Sequence, residues 1–168
     1  NPAKCQVGVE KIEYLGHVLT SLGITVPDER RQGFRSLVEP HDLVTLRSFL
    51  GLMNYFRDFI PHFASVSTCL YLLTKKGNIF RWYSEHQVAF SQLRDAVIDA
   101  PLLYHINYAL PIVLRTDASS YAIGGMLVQP HPDGERIVSC QSKSLSAAAT
   151  RWSTRDQEAY SIFYCITV

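Results

Sequence analysis

The sequence predicts an α+β fold, a small helical region followed by a mixed sheet with helices packed on it. Three observations carry that prediction. Apolar residues recur at spacings of three and four from Leu43 to Phe63 and again from Phe90 to Val97, the repeat of a helix face. Beyond Ile112 the pattern changes to short β-favouring runs separated by turn residues. A chain of 168 residues with 47% hydrophobic content supplies one core of ordinary size or two small ones, which excludes disordered and fibrous classes.

The elements follow in order. Two β-favouring runs, residues 12–20 and 24–26, are separated by Ser21-Leu22-Gly23 and read as a hairpin that Pro27 closes. Phe34, Leu37 and Val38 mark a short helix. A longer helical pattern runs through Leu43, Leu46, Leu50, Met53, Phe56, Phe59, Ile60 and Phe63, with Asp42 as its N-cap and Pro61 ending or bending it. Gly77-Asn78 signals a turn, and Ser84-Glu85-His86-Gln87 reads as a capping box with Ser84 at the cap. The helix it opens reaches about Ala100, presents Phe90, Leu93, Ala96 and Val97 on one face, and stops at Pro101. Strands are expected at 112–116, 121–128 and 136–141, the last two joined through Asp133-Gly134. Ser153 then caps a helix that carries Asp156 at its acidic third position and runs through Glu158 to the end.

Charge and cysteine content narrow the function classes. Sixteen basic against fifteen acidic residues give +1, too balanced to mark a nucleic-acid binder by bulk charge. The first 84 residues carry ten basic and seven acidic side chains, so a polyanion is expected to meet that half. Cysteines at 5, 69, 140 and 165 lack the CxxC spacing of a zinc knuckle or redox pair, which predicts a reduced, intracellular chain of cytoplasm or nucleus. No apolar run approaches the ~18 to 20 residues of a membrane span, and no signal-peptide plan opens the chain. The absence of an initiating Met and an end inside an apolar run predict an interior slice of something longer.

Two carboxylates stand out chemically. Asp117 ends the first of the three later strands, and Glu158 lies 41 residues on, in the first turns of the last helix. If that helix packs on the sheet, both converge at the strand end, where paired carboxylates hold Mg2+ or Mn2+. Two-metal nucleases use such a cluster to activate water and stabilise a leaving oxygen. Pattern alone favours a turn aspartate and a glutamate placed by the helix dipole.

The residues themselves resemble a family. The blocks YLGHVLTSLGITV, LRSFLGLMNYFRDFI, FRWYSEHQVAFSQLRDAVIDAPLL, LRTDASSYAIGGMLVQ and STRDQEAYSI occur in the order seen in gypsy (Ty3)-class LTR retrotransposon polyproteins, within reverse transcriptase and ribonuclease H. The resemblance implies four segments: the end of the polymerase palm (1–27), a helical thumb (28–76), a connection (77–110) and a partial, C-terminally truncated ribonuclease H-like domain (111–168). It implies that the hairpin around Tyr14, Leu15, Gly16 and His17 corresponds to the primer grip. His17 by itself reads as a hydrogen-bonded structural histidine. The helix with Arg47, Gly51, Asn54 and Tyr55 is similar to the thumb helix that tracks a template-primer duplex. Glycine at 51 costs about 1 kcal/mol against alanine in a helix, which a close backbone approach or tight helix packing would each explain. Arg47 and Arg57 suit phosphate contacts, whereas Phe80, Trp82 and Phe90 read as packing.

In the ribonuclease H part, the resemblance makes Asp117 and Glu158 the first two metal-binding and catalytic carboxylates, for Mg2+ or Mn2+ in the complete endonuclease. Asp156 reads as a helix-start residue, and Ser161 replaces the family's usual alanine. The family's Y-x-D-D polymerase motif would lie upstream, and its third aspartate downstream, so this segment alone is expected to carry no DNA synthesis, little or no cleavage, and no complete metal site. The implied partners are an RNA/DNA hybrid or template-primer duplex and the remainder of the polyprotein. The alternative from a different class is a catalytically inactive remnant, co-opted by a host as a structural or binding subunit. The final helix's Ile162, Phe163 and Ile166 are expected to need cover from the continuing chain, a partner or self-association.

Overall fold

The structure, a computed structural model, describes Cys5 and residues 7–168. Strands β1 (Lys11–Tyr14), β2 (His17–Thr20), β3 (Gly23–Thr25) and β4 (Leu103–Tyr104) form one antiparallel sheet in that order. The expected single run over 12–20 is therefore two strands. The chain reverses at Leu15 (φ 49°) and Gly16 (φ 73°), a pair of left-handed residues that matches a two-residue hairpin turn. Gly16 is the turn's sequence signal, while apolar and β-forming residues on both sides of it, Tyr14, Leu15, Val18 and Leu19, make the two strands read as one run.

Helices α1 (Asp28–Arg35), α2 (Leu43–Tyr55), α3 (Phe63–Leu73) and α4 (Ser84–Ile98) follow. The structure places the first earlier than its apolar residues suggested: α1 begins directly after Pro27, buries Phe34, and ends before Leu37 and the exposed Val38. Asp42 caps α2 as expected, accepting from the Thr45 amide at 2.7 Å. The long helical pattern breaks before Pro61, with one tight turn at Arg57–Phe59 between α2 and α3. Ser84 is not the cap of α4. Tyr83 holds that position, and its amide donates to His86 Nδ1 at 2.9 Å.

One apolar core joins these elements. Leu46, Met53, Phe56, Leu70, Phe90, Leu93 and Val97 are buried in it together with Leu103 of the sheet and Val26, just past β3. Phe80 and Trp82 pack against it, so the aromatics of this block serve packing. Arg31 closes its edge, donating to Thr25 Oγ1 at 3.1 Å and to the Ala100 carbonyl at 2.8 Å, just past the end of α4.

A second antiparallel sheet has the order β5 (Val113–Ala118), β6 (Ala122–His131), β7 (Gly134–Ser144), and α5 (Thr154–Thr167) follows it. Its strands are longer than the runs expected at 121–128 and 136–141, and a bulge lies between Leu127 and Val128. Ser153 caps α5, its Oγ accepting from the Asp156 amide at 3.3 Å. A Cβ added at Gly125 would lie 2.5 Å from Cys165 Sγ of α5, while one at Gly124 would face His62 and Ser142 instead. Successive strand residues point to opposite faces, so α5 covers one side of the sheet and the His62 end of α3 the other. Gln129, buried on β6, sets the linker before β5: its side-chain oxygen accepts from the Asn107 amide and its nitrogen donates to the Asn107 carbonyl, both at 2.8 Å.

Candidate nucleic-acid interface and carboxylate pair

The residues implied for duplex contact meet on one surface. Arg47, Gly51 and Asn54 follow spacings of four and three along α2 and are all exposed, so they share one solvent-facing stripe. A Cβ at Gly51 would touch nothing within 4 Å. Packing against another helix therefore does not explain this glycine, and the site is open to an approaching backbone.

Tyr55 lies at the end of that stripe and joins it to the β1–β2 turn. Its hydroxyl donates to the Leu15 carbonyl, and its ring stacks on His17 with centroids 4.8 Å apart and planes 8° from parallel. His17 also packs on Phe59 at 5.5 Å and edge-on to Phe56. Where the sequence suggested a hydrogen-bonded histidine, the ring is held by stacking instead: its buried Nδ1 has no hydrogen-bond partner. Burial lowers its pKa below the usual 6.5, with the Asp58 carboxylate opposing that shift.

Asp117 lies inside β5, one residue before its end, and pairs across the sheet with Gly124. Its carboxylate projects from the face covered by His62, whose Nδ1 is 3.7 Å from Oδ2, beyond hydrogen-bond range. Pro61, His62, Arg115, Thr116, Asp117, Gly125 and Met126 line a cleft of about 310 Å3 there. Helix α5 is anchored to the same strand position from the opposite face. Ser161 Oγ lies 3.1 Å from the Asp117 carbonyl and 3.0 Å from the Gly124 carbonyl, close enough to donate to either. Glu158 precedes Ser161 by three residues and lies on the same side of α5. The Asp117 carboxylate and helix α5, which carries Glu158, thus lie on opposite faces of β5, the edge strand of its sheet.

Asp117 offers hard oxygen donors at a side chain 65% exposed, which fits Mg2+ or Mn2+ in kind. Among the described residues no group of three or more His, Cys, Asp or Glu stands together for a metal ion. Sequence reasoning missed two neighbours of Asp117. Ser161 stood out only as a departure from alanine, and His62 carried no signal, because it reaches Asp117 across 55 residues of chain.

A helical unit with a hairpin clasped to its second helix is joined here to a sheet that carries an aspartate on its edge strand. Residues 82–168 match the RNase H-like domain found in reverse transcriptase, and the chain belongs to that family. Over 99% of its length it is 32% identical to the Retrovirus-related Pol polyprotein from transposon 412 of Drosophila melanogaster. It is 30% identical over 96% of its length to the Transposon Tf2-3 polyprotein of Schizosaccharomyces pombe. These are gypsy (Ty3)-type LTR retrotransposon polyproteins, of which the chain spans 13% and 12%. Its fold is similar to that of a foamy viral protease-reverse transcriptase in complex with RNA/DNA hybrid, with a TM-score of 0.74, 23% identity, and 94% of this chain and 22% of that one covered. The same protein in complex with dsDNA gives 0.74 and 23%, covering 95% of this chain and 33% of the other. Among the described residues no helix is long and apolar enough to cross a membrane.

Proposed function

We propose that this segment grips a template-primer duplex or RNA/DNA hybrid and, in the complete enzyme, contributes two carboxylates to hydrolysis of the RNA strand. In this reading residues 1–27, 28–76, 77–110 and 111–168 serve as palm end, thumb, connection and partial ribonuclease H. The clasp of Tyr55 on Leu15 and His17 carries the proposal. It makes the β1–β2 turn and the α2 stripe one continuous surface, so Gly16, His17, Arg47, Gly51, Asn54 and Tyr55 act on the same duplex. Arg47 supplies the charge for phosphate, Asn54 a neutral donor, and Gly51 the space for close approach. The likeness to a reverse transcriptase bound to RNA/DNA hybrid supports that partner.

Asp117 and Glu158 would hold Mg2+ or Mn2+ past the open edge of β5, with further ligands from the rest of the polyprotein. When bound, such ions activate water and stabilise the leaving oxygen of a phosphodiester. This chain's own part is to keep Asp117 exposed while Ser161 pins α5, the helix that carries Glu158, against the same strand position.

The test is binding and cleavage of an end-labelled RNA/DNA hybrid in Mn2+, beside Arg47→Ala and Asp117→Asn. Salt-dependent binding weakened by Arg47→Ala is expected, with any cleavage lost in Asp117→Asn. Binding indifferent to Arg47 would overturn the α2 surface, and cleavage persisting in Asp117→Asn would overturn the carboxylate assignment. Because this segment alone is expected to cleave little or not at all, binding without cleavage in any variant keeps the α2 surface and moves the Asp117→Asn comparison to the complete polyprotein, where cleavage by wild type and none by the variant is expected.

A further inference from the structure

A groove of about 380 Å3 separates the helical unit from the outer edge of the second sheet. Asn54 of α2, Arg57, Tyr71 of α3, Lys143 and Ser144 of β7, and Tyr164 of α5 line it, and no Asp or Glu does. Its two cations are held in place by neutral groups. Arg57 lies over the Phe63 ring at 5.6 Å and donates to the Ser142 carbonyl, which leaves most of its five N–H donors free. The Lys143 ammonium lies 5.0 Å from the Tyr164 ring centre and donates to Tyr160 Oη at 3.2 Å. Among the described residues neither cation is ion-paired with a carboxylate, although every ion-paired arginine elsewhere sits on an acid within three residues in sequence or on Glu135.

Around the cations the groove offers donors. Burial pushes the Tyr71 hydroxyl up in pKa, with Arg57 opposing, so it stays protonated at neutral pH and can donate. The Asn54 amide and the Ser144 hydroxyl add two more. Two unpaired cations among neutral donors, without a competing carboxylate, suit an anion with several oxygens. Phosphate is such an anion, and an open groove lined in turn by α2, α3, β7 and α5, with its cations on different elements, suits a chain of phosphates better than one.

We infer that this groove is a second phosphodiester-binding site, in which Arg57 and Lys143 hold the backbone of a nucleic-acid strand leaving the α2 surface. The inference rests on the proposed duplex-binding reading, since Asn54 belongs to both the stripe and the groove. It adds a contact at the β7 edge of the sheet, opposite the β5 edge that carries Asp117. The strand would thereby be held on both sides of the junction between the helical unit and the sheet. Arg57 also occupies a backbone carbonyl of β7 that would otherwise be open for pairing with another strand.

The test is the affinity of the chain for a labelled RNA/DNA hybrid across a salt series, for wild type, Lys143→Ala, Ser144→Glu, Arg47→Ala and Arg94→Ala. Lys143 and Ser144 are exposed, so their replacement tests the groove without breaking the core, and thermal melting checks the fold. Lys143→Ala should weaken binding about fivefold and reduce the slope of log K against log salt by about 0.9, the change for one lost duplex phosphate contact. Ser144→Glu should weaken it at least as much by adding a carboxylate. Arg94, paired with Asp95 on α4 and outside the groove, should leave both values unchanged when replaced. If Arg47→Ala weakens binding while Lys143→Ala and Ser144→Glu match wild type, the groove proposal falls and the α2 reading stands. If the wild type shows no salt-dependent binding, both fall. Competition by inorganic phosphate as effective as by an oligonucleotide would make the groove a small-anion site and overturn the strand proposal.

Discussion

The hydroxyl of Tyr55 donates to the carbonyl of Leu15, across 40 residues of sequence, and the ring beneath it lies flat on His17. A helix end and a hairpin tip are thereby locked face to face. The tip holds two residues at positive φ, a conformation that a loose turn would abandon readily. Tyr55 keeps the turn and the exposed stripe of α2 in one register.

Tyr55→Phe removes the hydroxyl and leaves the ring stack. It should cost about 1 kcal/mol, the net worth of one hydrogen bond, in urea unfolding. The same variant should raise amide exchange at the turn residues Leu15 and Gly16. Unchanged exchange would show that the bond does not hold the turn.

The His17 pKa predicts a stability loss in acid. Because burial lowers it below 6.5 in the folded chain, the unfolded chain binds the proton first as pH falls. Stability from this group is intact above pH 6.5 and declines as pH drops through the folded value. Melting temperature measured from pH 7.5 to 5 should fall less steeply in His17→Phe than in wild type. Parallel curves would remove His17 as the cause.

Gly51→Ala should raise stability by about 0.5–1 kcal/mol, since the position is helical, exposed and has nothing within 4 Å of a new Cβ. If a duplex backbone approaches there, the same variant should bind RNA/DNA hybrid more weakly while melting higher. Higher stability with unchanged affinity would place the duplex elsewhere on α2.

Gly125→Ala should be destabilising by about 1–3 kcal/mol, because its Cβ would lie 2.5 Å from Cys165 Sγ where α5 packs on β6. Cys165→Ala in the same chain should recover part of that loss, a coupling that a double-mutant cycle in urea measures. Strict additivity would mean that α5 moves away as a unit.

Much of this architecture is legible in the sequence. The cap at Asp42, the cap at Ser153 and the buried face of α4 through Phe90, Leu93 and Val97 all depend on residues within a few positions of one another. Local chemistry sufficed there. The errors fell where local signals were equal or where neighbours lay far off. Leu15 at positive φ is a conformation its side chain disfavours, so Gly16 alone marked the turn inside 12–20 and its neighbour pointed the other way. Tyr83 supplanted Ser84 as the cap of α4 because His86 could accept its amide.

The candidate site divides in the same way. By itself the sequence determined which groups are available: a carboxylate on a strand, another on the following helix, and an exposed arginine, glycine and asparagine at helical spacing, since periodicity and residue chemistry are properties of short segments. Only the tertiary structure decided how they meet. It set Asp117 and the α5 helix on opposite faces of an edge strand, brought His62 beside the carboxylate, and closed Arg57 and Lys143 around one groove. Those relations arise from the packing of α3 and α5 on the two sides of one sheet, and no pattern along the chain encodes the distance between residues that packing brings together.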